Sequence, residues 1–297
     1  MSPFKSEYIR TASSVTLHVM VGGAPEDTLI VFLHGFPEYW VSFKSIGAQF
    51  AQSGYRVLLP DMRGYNLSDK PKQIAEYTSQ KVAEDIVALI DHEKKEKAIV
   101  VGHDWGAQIT WTLACNYSER IEKVAVLNVA HPVVFQKTLR SNFTQLRNSW
   151  YMFAFQIPWL AEMVFSAFNF SQFAKAIQNS LENESAKQDG PGSEHYVNAW
   201  NQKGAFTGML SYYRAAVKAR DYHFKSPIEV PVLIIWGDKD TVLLRQMAEE
   251  SLSFCTNGRV EHIPEAGHFV QHDAPEKVLS LLKDHIMRQA SQYGDGY

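Results

Sequence analysis

Short runs of apolar residues recur along the chain, and between most of them lie stretches whose apolar positions fall at helical spacing. Val15–Val21 alternates, is rich in β-branched residues and stops at Gly22-Gly23, which predicts an antiparallel strand and its turn. Leu29–Leu33, Tyr55–Pro60, Ala98–Val101, Val124–Val129 and Val230–Trp236 are apolar at nearly every position, as strands buried on both faces of a parallel sheet must be. A further strand is expected near Gly258–Ile263. Helices are predicted from about Ser42 to Ala51 and from Thr78 to Glu93, where Val82, Ile86, Val87, Leu89 and Ile90 form one face. Others are predicted over Ala107–Cys115, Leu243–Leu252 and Pro275–Met287. From about residue 133 to residue 224 the alternation fails, and helical, aromatic-rich patches replace the strand runs.

The pattern predicts an α/β fold: a mostly parallel central sheet flanked by helices, interrupted by a helical insertion. Residues 1–132 and 225–297 form the expected core and 133–224 the expected helical cap, with Pro191-Gly192 as a loop inside it. At 297 residues and 45% hydrophobic content the chain can bury a sizeable core. A net charge of -3 with acids and bases interleaved recommends neither nucleic acid nor an anionic membrane as partner. Cys115 and Cys255 have no metal-ligand spacing and read as free thiols. With no apolar run of secretory or membrane-spanning length, no membrane anchor is expected, and the cytoplasm is the default compartment.

Candidate chemistry gathers where buried strands end, the place where ligands of open α/β sheets bind. Ala98–Val101 runs into Gly102-His103-Asp104-Trp105-Gly106, whose flanking glycines suit a sharp strand-turn-helix corner that lifts the central side chain clear of the sheet. Leu29–Leu33 runs into His34-Gly35-Phe36-Pro37-Glu38-Tyr39-Trp40, Trp236 into Gly237-Asp238-Lys239-Asp240, and the last strand into Pro264-Glu265-Ala266-Gly267-His268-Phe269. Nucleophile, acid and histidine follow in that chain order, and residue type alone leaves both Asp238 and Asp240 open as the acid.

These segments resemble the α/β-hydrolase family, and within it the branch whose nucleophile is an aspartate. Asp61-Met62-Arg63-Gly64-Tyr65-Asn66-Leu67-Ser68 is similar to a loop of that family in which glycine stands where this chain has Asn66, and both residues tolerate left-handed backbone. The resemblance implies Asp104 as nucleophile, His268 as general base and Asp240 as the acid that orients it. It places the backbone N–H groups of Phe36 and Trp105 in an oxyanion hole. Trp150-Tyr151 before Phe155-Gln156-Ile157-Pro158, and Tyr212-Tyr213 before Arg214, resemble the two segments in which epoxide hydrolases carry paired tyrosines. On that match Tyr151 and Tyr213 activate the epoxide oxygen. Tyr212 and Tyr213 would point about 100° apart on a helix, so one of them faces the site. His34, Pro37, Trp40, Trp150, Phe155 and Phe269, in or beside these segments, are expected in the substrate pocket.

A carboxylate attacks esters and amides poorly but displaces well at a saturated carbon bearing a halide or a strained epoxide oxygen. The resemblance therefore implies an epoxide hydrolase that converts a small apolar epoxide and water to a vicinal diol, with neither cofactor nor metal. The alternatives are a haloalkane dehalogenase, in which Trp105 with Trp150 or Trp159 would hold the halide; a haloacetate dehalogenase, whose pattern has arginine after the nucleophile and a His-Trp pair in the cap where this chain has Trp105 and Tyr151; and a non-catalytic ligand receptor on the same fold.

Overall fold

The computed structural model describes residues 3–11, 13–218, 224 and 227–288. Eight strands form one sheet: β1 (Phe4–Arg10), β2 (Thr16–Gly22), β3 (Thr28–Leu33), β4 (Tyr55–Pro60), β5 (Ala98–His103), β6 (Ile121–Leu127), β7 (Val232–Gly237) and β8 (Gly258–Ile263). Their spatial order is β1-β2-β4-β3-β5-β6-β7-β8. The β1–β2 and β2–β4 pairs are antiparallel and all others parallel.

The continuous apolar runs are explained by two cores, one on each face of the sheet. In β3, Leu29, Val31 and Leu33 enter one core while Ile30 and Phe32 enter the other. The first core is covered by α2 (Ser79–His92) and α3 (Trp105–Asn116), with α12 (Gln246–Leu252). The second is covered by α1 (Lys44–Gln52) and α14 (Pro275–Met287), which bring in Ile46, Phe50, Val278 and Leu282.

Between β6 and β7 the described residues contain helices and no strand. These are α4 (Pro132–Ser141), α5 (Phe143–Asn148), α6 (Trp150–Ala154), α7 (Leu160–Ser166), α8 (Ser171–Asn179), α9 (Ala186–Asp189), α10 (Glu194–Trp200) and α11 (Ala205–Lys218). A four-residue helix, α13 (Val270–Asp273), precedes α14.

Three elements differ from the sequence expectation. Strand β1 carries no apolar run, because as an edge strand it buries only Phe4 and Ile9 and leaves the rest of its length polar. Helix α12 starts at Gln246 rather than Leu243, since the N–H groups of Leu243 and Leu244 are committed to Asp240 Oδ1 and Gln145 Oε1. Strand β6 stops at Leu127, where Asn128 turns the chain at φ 50. Asn66 adopts φ 37, the left-handed backbone its substitution for glycine called for. Cys115 and Cys255 are free. No helix of the described residues is long and apolar enough to cross a membrane.

Candidate active site

Asp104 occupies the corner between β5 and α3 with φ 48 and ψ -117, a backbone that L-residues adopt at a cost of about 1–3 kcal/mol. Close packing holds it there. A side chain on Gly106 would put its Cβ 2.1 Å from the Leu33 carbonyl oxygen, and one on Gly35 would lie 2.3 Å from the Asp104 Cβ. Absence of both side chains lets the loop after β3 lie against the corner, where the Phe36 N–H donates to Asp104 Oδ1 at 2.7 Å.

The other carboxylate oxygen, Oδ2, lies 3.6 Å from His268 Nε2. His268 Nδ1 lies 2.8 Å from Asp240 Oδ2. Asp240 is itself fixed: its Oδ1 accepts the N–H groups of Val242 and Leu243 at 2.7 and 2.9 Å, and its Oδ2 accepts Asn128 Nδ2 at 2.8 Å. Asn128 Oδ1 in turn accepts the Gly237 N–H at 3.0 Å, tying the ends of β6 and β7 together around the acid. Asp238 turns outward to Arg245 and His262.

Burial disfavours a charged His268, but the carboxylates of Asp240 and Asp104 outweigh it and push the imidazole up to about 10. Burial likewise disfavours the Asp104 anion, and His268 with the Phe36 N–H overcomes that and holds the carboxyl below its usual value. The resting site is an imidazolium between two carboxylates. A histidine whose folded pKa is raised favours the native state fully below its unfolded value near 6.5, and that contribution is lost as pH rises to about 10. In a nitrogen-15 NMR titration the His268 ring is therefore expected to stay protonated through pH 8 and to titrate near pH 10, with melting temperature falling over the same range. Titration near 6.5 would contradict this charge arrangement.

Tyr151 on α6 and Tyr213 on α11 line a cavity of about 70 Å³ together with Asp104 and Trp105. Their rings meet edge-on at 5.9 Å, and Tyr213 also meets Trp105 at 5.0 Å. Burial first, then the Asp104 charge, raises both phenols above their ordinary value, so both remain O–H donors. The neighbouring Tyr212 points the other way and donates to the Arg63 carbonyl at 2.9 Å. Arg214 braces the two tyrosine-bearing helices: its guanidinium donates to the Phe155 carbonyl and grips both oxygens of Glu162 at 2.7 and 2.9 Å. Gln156 Nε2 adds bonds to the Met152 and Tyr213 carbonyls.

The expected pocket residues fare differently. Trp150 is 62% exposed, because it neighbours Tyr151 on α6 and so projects from the other side of the helix. His34 is fully buried and accepts the Met62 N–H at 3.0 Å, Trp40 donates its backbone N–H to Asp61, and the Pro37 carbonyl accepts from the Trp200 indole. These three positions hold loops together and do not line the cavity. Phe269 packs on His268 and His103. Phe155 stands behind the phenols, edge-on to Tyr151 and Tyr213.

The walls come instead from Gln108, Val129, Phe135, Met152, Val242 and Leu243. Gln108 lies four residues beyond Asp104 on α3, a spacing readable in the sequence; the others depend on how the inserted helices pack. Sequence reasoning also missed the buried group around Glu38. That carboxylate bonds His103 at 3.0 Å, Gln271 at 3.0 Å and His272 at 2.6 Å, and His103 Nε2 reaches the His268 carbonyl oxygen at 2.8 Å. This group anchors β5 to the loop that carries His268. Among the described residues no group of three or more His, Cys, Asp or Glu is placed to hold a metal ion.

A sheet of this order with a carboxylate, an imidazole and an acid at its carboxyl edge is that of a hydrolase, and comparison bears this out. The family model described as alpha/beta hydrolase fold matches residues 28–275, and the chain belongs to the α/β-hydrolase family. It is 34% identical over 292 residues to epoxide hydrolase 1 of Caenorhabditis elegans, covering 97% of this chain and 70% of that one. It is 37% identical over 289 residues to the AB hydrolase superfamily protein YfhM of Bacillus subtilis, covering 97% of this chain and 100% of the relative. The crystal structure of Bacillus megaterium epoxide hydrolase with an inhibitor superposes with a TM-score of 0.87 at 29% identity, covering 95% of this chain and 100% of that one. With such relatives the chain stands in the epoxide hydrolase branch of the family.

Proposed function

We propose that this chain hydrolyses epoxides to vicinal diols through an alkyl ester on Asp104, with residues 133–224 serving as the cap that closes over the reaction. One observation carries the reading: the carboxylate at the corner and the phenols of Tyr151 and Tyr213 line the same cavity. Asp104 Oδ2 attacks a ring carbon while the epoxide oxygen, held by the two O–H donors, takes a proton from one of them. That phenolate is restored by the proton of His268. Esterification removes the Asp104 charge that helps to hold the imidazole protonated, so the same step that consumes the acid leaves a neutral base beside the ester.

His268, oriented by Asp240, then takes a proton from water, and the hydroxide adds to the ester carbonyl carbon. The developing charge falls on Oδ1, which the Phe36 N–H already holds, an interaction of about 3 kcal/mol where it has been measured. The Trp105 N–H, first in α3, is the second donor of this hole. Collapse expels the diol oxygen, which takes the second proton of the water, and returns Asp104 as an anion beside a protonated His268.

The dehalogenase alternative is weakened by the same geometry. Trp150 and Trp159 are 62% and 70% exposed, which leaves Trp105 without the indole partner that a halide cradle needs.

His268→Gln separates the two half-reactions. With an aryl epoxide the variant is expected to gain the substrate's mass once per chain and to form diol about 10³-fold more slowly than the parent. Halide release from haloalkanes by the parent, with no diol from any epoxide, would overturn the reading.

A further inference from the structure

The cap exposes more large apolar side chains than the rest of the described surface. Phe143, Leu146, Trp150, Phe153 and Ile157 are 79%, 41%, 62%, 58% and 47% exposed. The 3-4-3 spacing of the first four runs through α5 and α6 and sets them within about 80° on a helical wheel, opposite Tyr151, Met152 and Phe155, while Ile157 lies in the bend just after α6. Trp159 just before α7, Met163 and Val164 on it and Phe168 in the turn after it are exposed as well. Contiguous apolar surface on this scale marks an interaction site.

Its charge points to the occupant. Over residues 133–168 the charged side chains are Lys137, Arg140, Arg147 and Glu162; Lys137 pairs with Glu250 and Glu162 with Arg214, which leaves the exposed Arg140 and Arg147. The chain as a whole carries -3, so its positive charge is displaced toward the apolar stripe. Tryptophan and phenylalanine with flanking arginine is the composition of surfaces that settle into the headgroup region of an anionic bilayer.

The way to the reacting atoms opens between α3, α4 and α11. A second cavity, of about 590 Å³, shares Trp105, Gln108, Phe135 and Met152 with the inner one and reaches the surface at Arg140 and Val217, the latter 61% exposed.

We propose that the cap docks on an anionic lipid surface through this stripe. The proposal does not depend on which reaction the site performs.

Flotation of the full chain with vesicles of phosphatidylcholine, alone or in equal parts with phosphatidylglycerol, tests it. The chain is expected to float with the anionic vesicles, with a blue shift in tryptophan emission, and to be released by high salt. Arg140→Gln and Arg147→Gln should each weaken partition about fivefold. The triple variant Phe143→Ser, Phe153→Ser, Ile157→Ser should remain in the aqueous layer while keeping the parent's turnover of a water-soluble epoxide. Failure of the parent to float with either vesicle would overturn the proposal. So would a parent that sediments as a dimer and a triple variant that sediments as a monomer, since the stripe would then be covered by a second copy.

Discussion

Asp104→Ala is expected to lower kcat/KM for any epoxide by at least about 10⁵-fold while leaving the melting temperature within about 4 °C of the parent. In the proposed route every bond-making step passes through this carboxylate: Oδ2 forms the ester, and Oδ1 carries the charge when water attacks. What remains after its removal is a cavity with two phenols and an imidazole, able to bind and polarise an epoxide but offering no nucleophile. The fold should tolerate the change, because the corner is held by the close approach of Gly35 and Gly106 and by the buried strand β5 rather than by the carboxylate. Mass spectrometry of the variant after incubation with substrate should find no adduct. The His268 ring should titrate below its parent value, since one of the two charges that raise it has gone. Turnover within a hundredfold of the parent would mean that water is activated directly and that no ester forms.

Removing both phenol hydroxyls, in the Tyr151→Phe, Tyr213→Phe double variant, is expected to slow ester formation by about 10⁴-fold or more, with each single change costing about 10²-fold. The asymmetry is chemical: either hydroxyl alone can protonate the opening ring, whereas with neither present an alkoxide must leave into an apolar chamber. Packing is preserved, because each ring keeps its edge-on contacts with Phe155 and with the other ring. Stopped-flow or quenched single-turnover measurements separate this loss from hydrolysis, which should be nearly unaffected once the ester exists. A double variant that retains a tenth of the parental alkylation rate would remove the phenols from the mechanism.

How much of this was legible in the sequence follows from what each signal encodes. Buried strands announce themselves, because both faces of a parallel sheet must be apolar, and the loops at their carboxyl ends carry Asp104, then Asp238 and Asp240, then His268, the resemblance alone choosing Asp240. The edge strand β1 was silent because one row of contacts needs only Phe4 and Ile9. The amide of Asn128 ties the Asp240 carboxylate to the end of β7, a contact that depends on how the two strand ends meet in space.

The pocket was the least legible part. Trp150 and Tyr151 are adjacent, and one step along a helix moved the side chain from the cavity to the surface. The same step separates Tyr212, bonded to Arg63, from Tyr213 in the chamber. Net charge gave a similarly blunt reading: summed over the chain it is negative, while the exposed cap segment is basic.

The account stands on the bond between Asp104 and substrate carbon, and single-turnover hydrolysis in heavy-oxygen water reads that bond directly. With enzyme in excess, peptide mass spectrometry is expected to find the heavy atom in the Asp104 side chain, and the first diol formed should carry ordinary oxygen at both positions. Label in the first diol, with Asp104 unlabelled, would mean that water attacked the ring itself and would contradict the ester route.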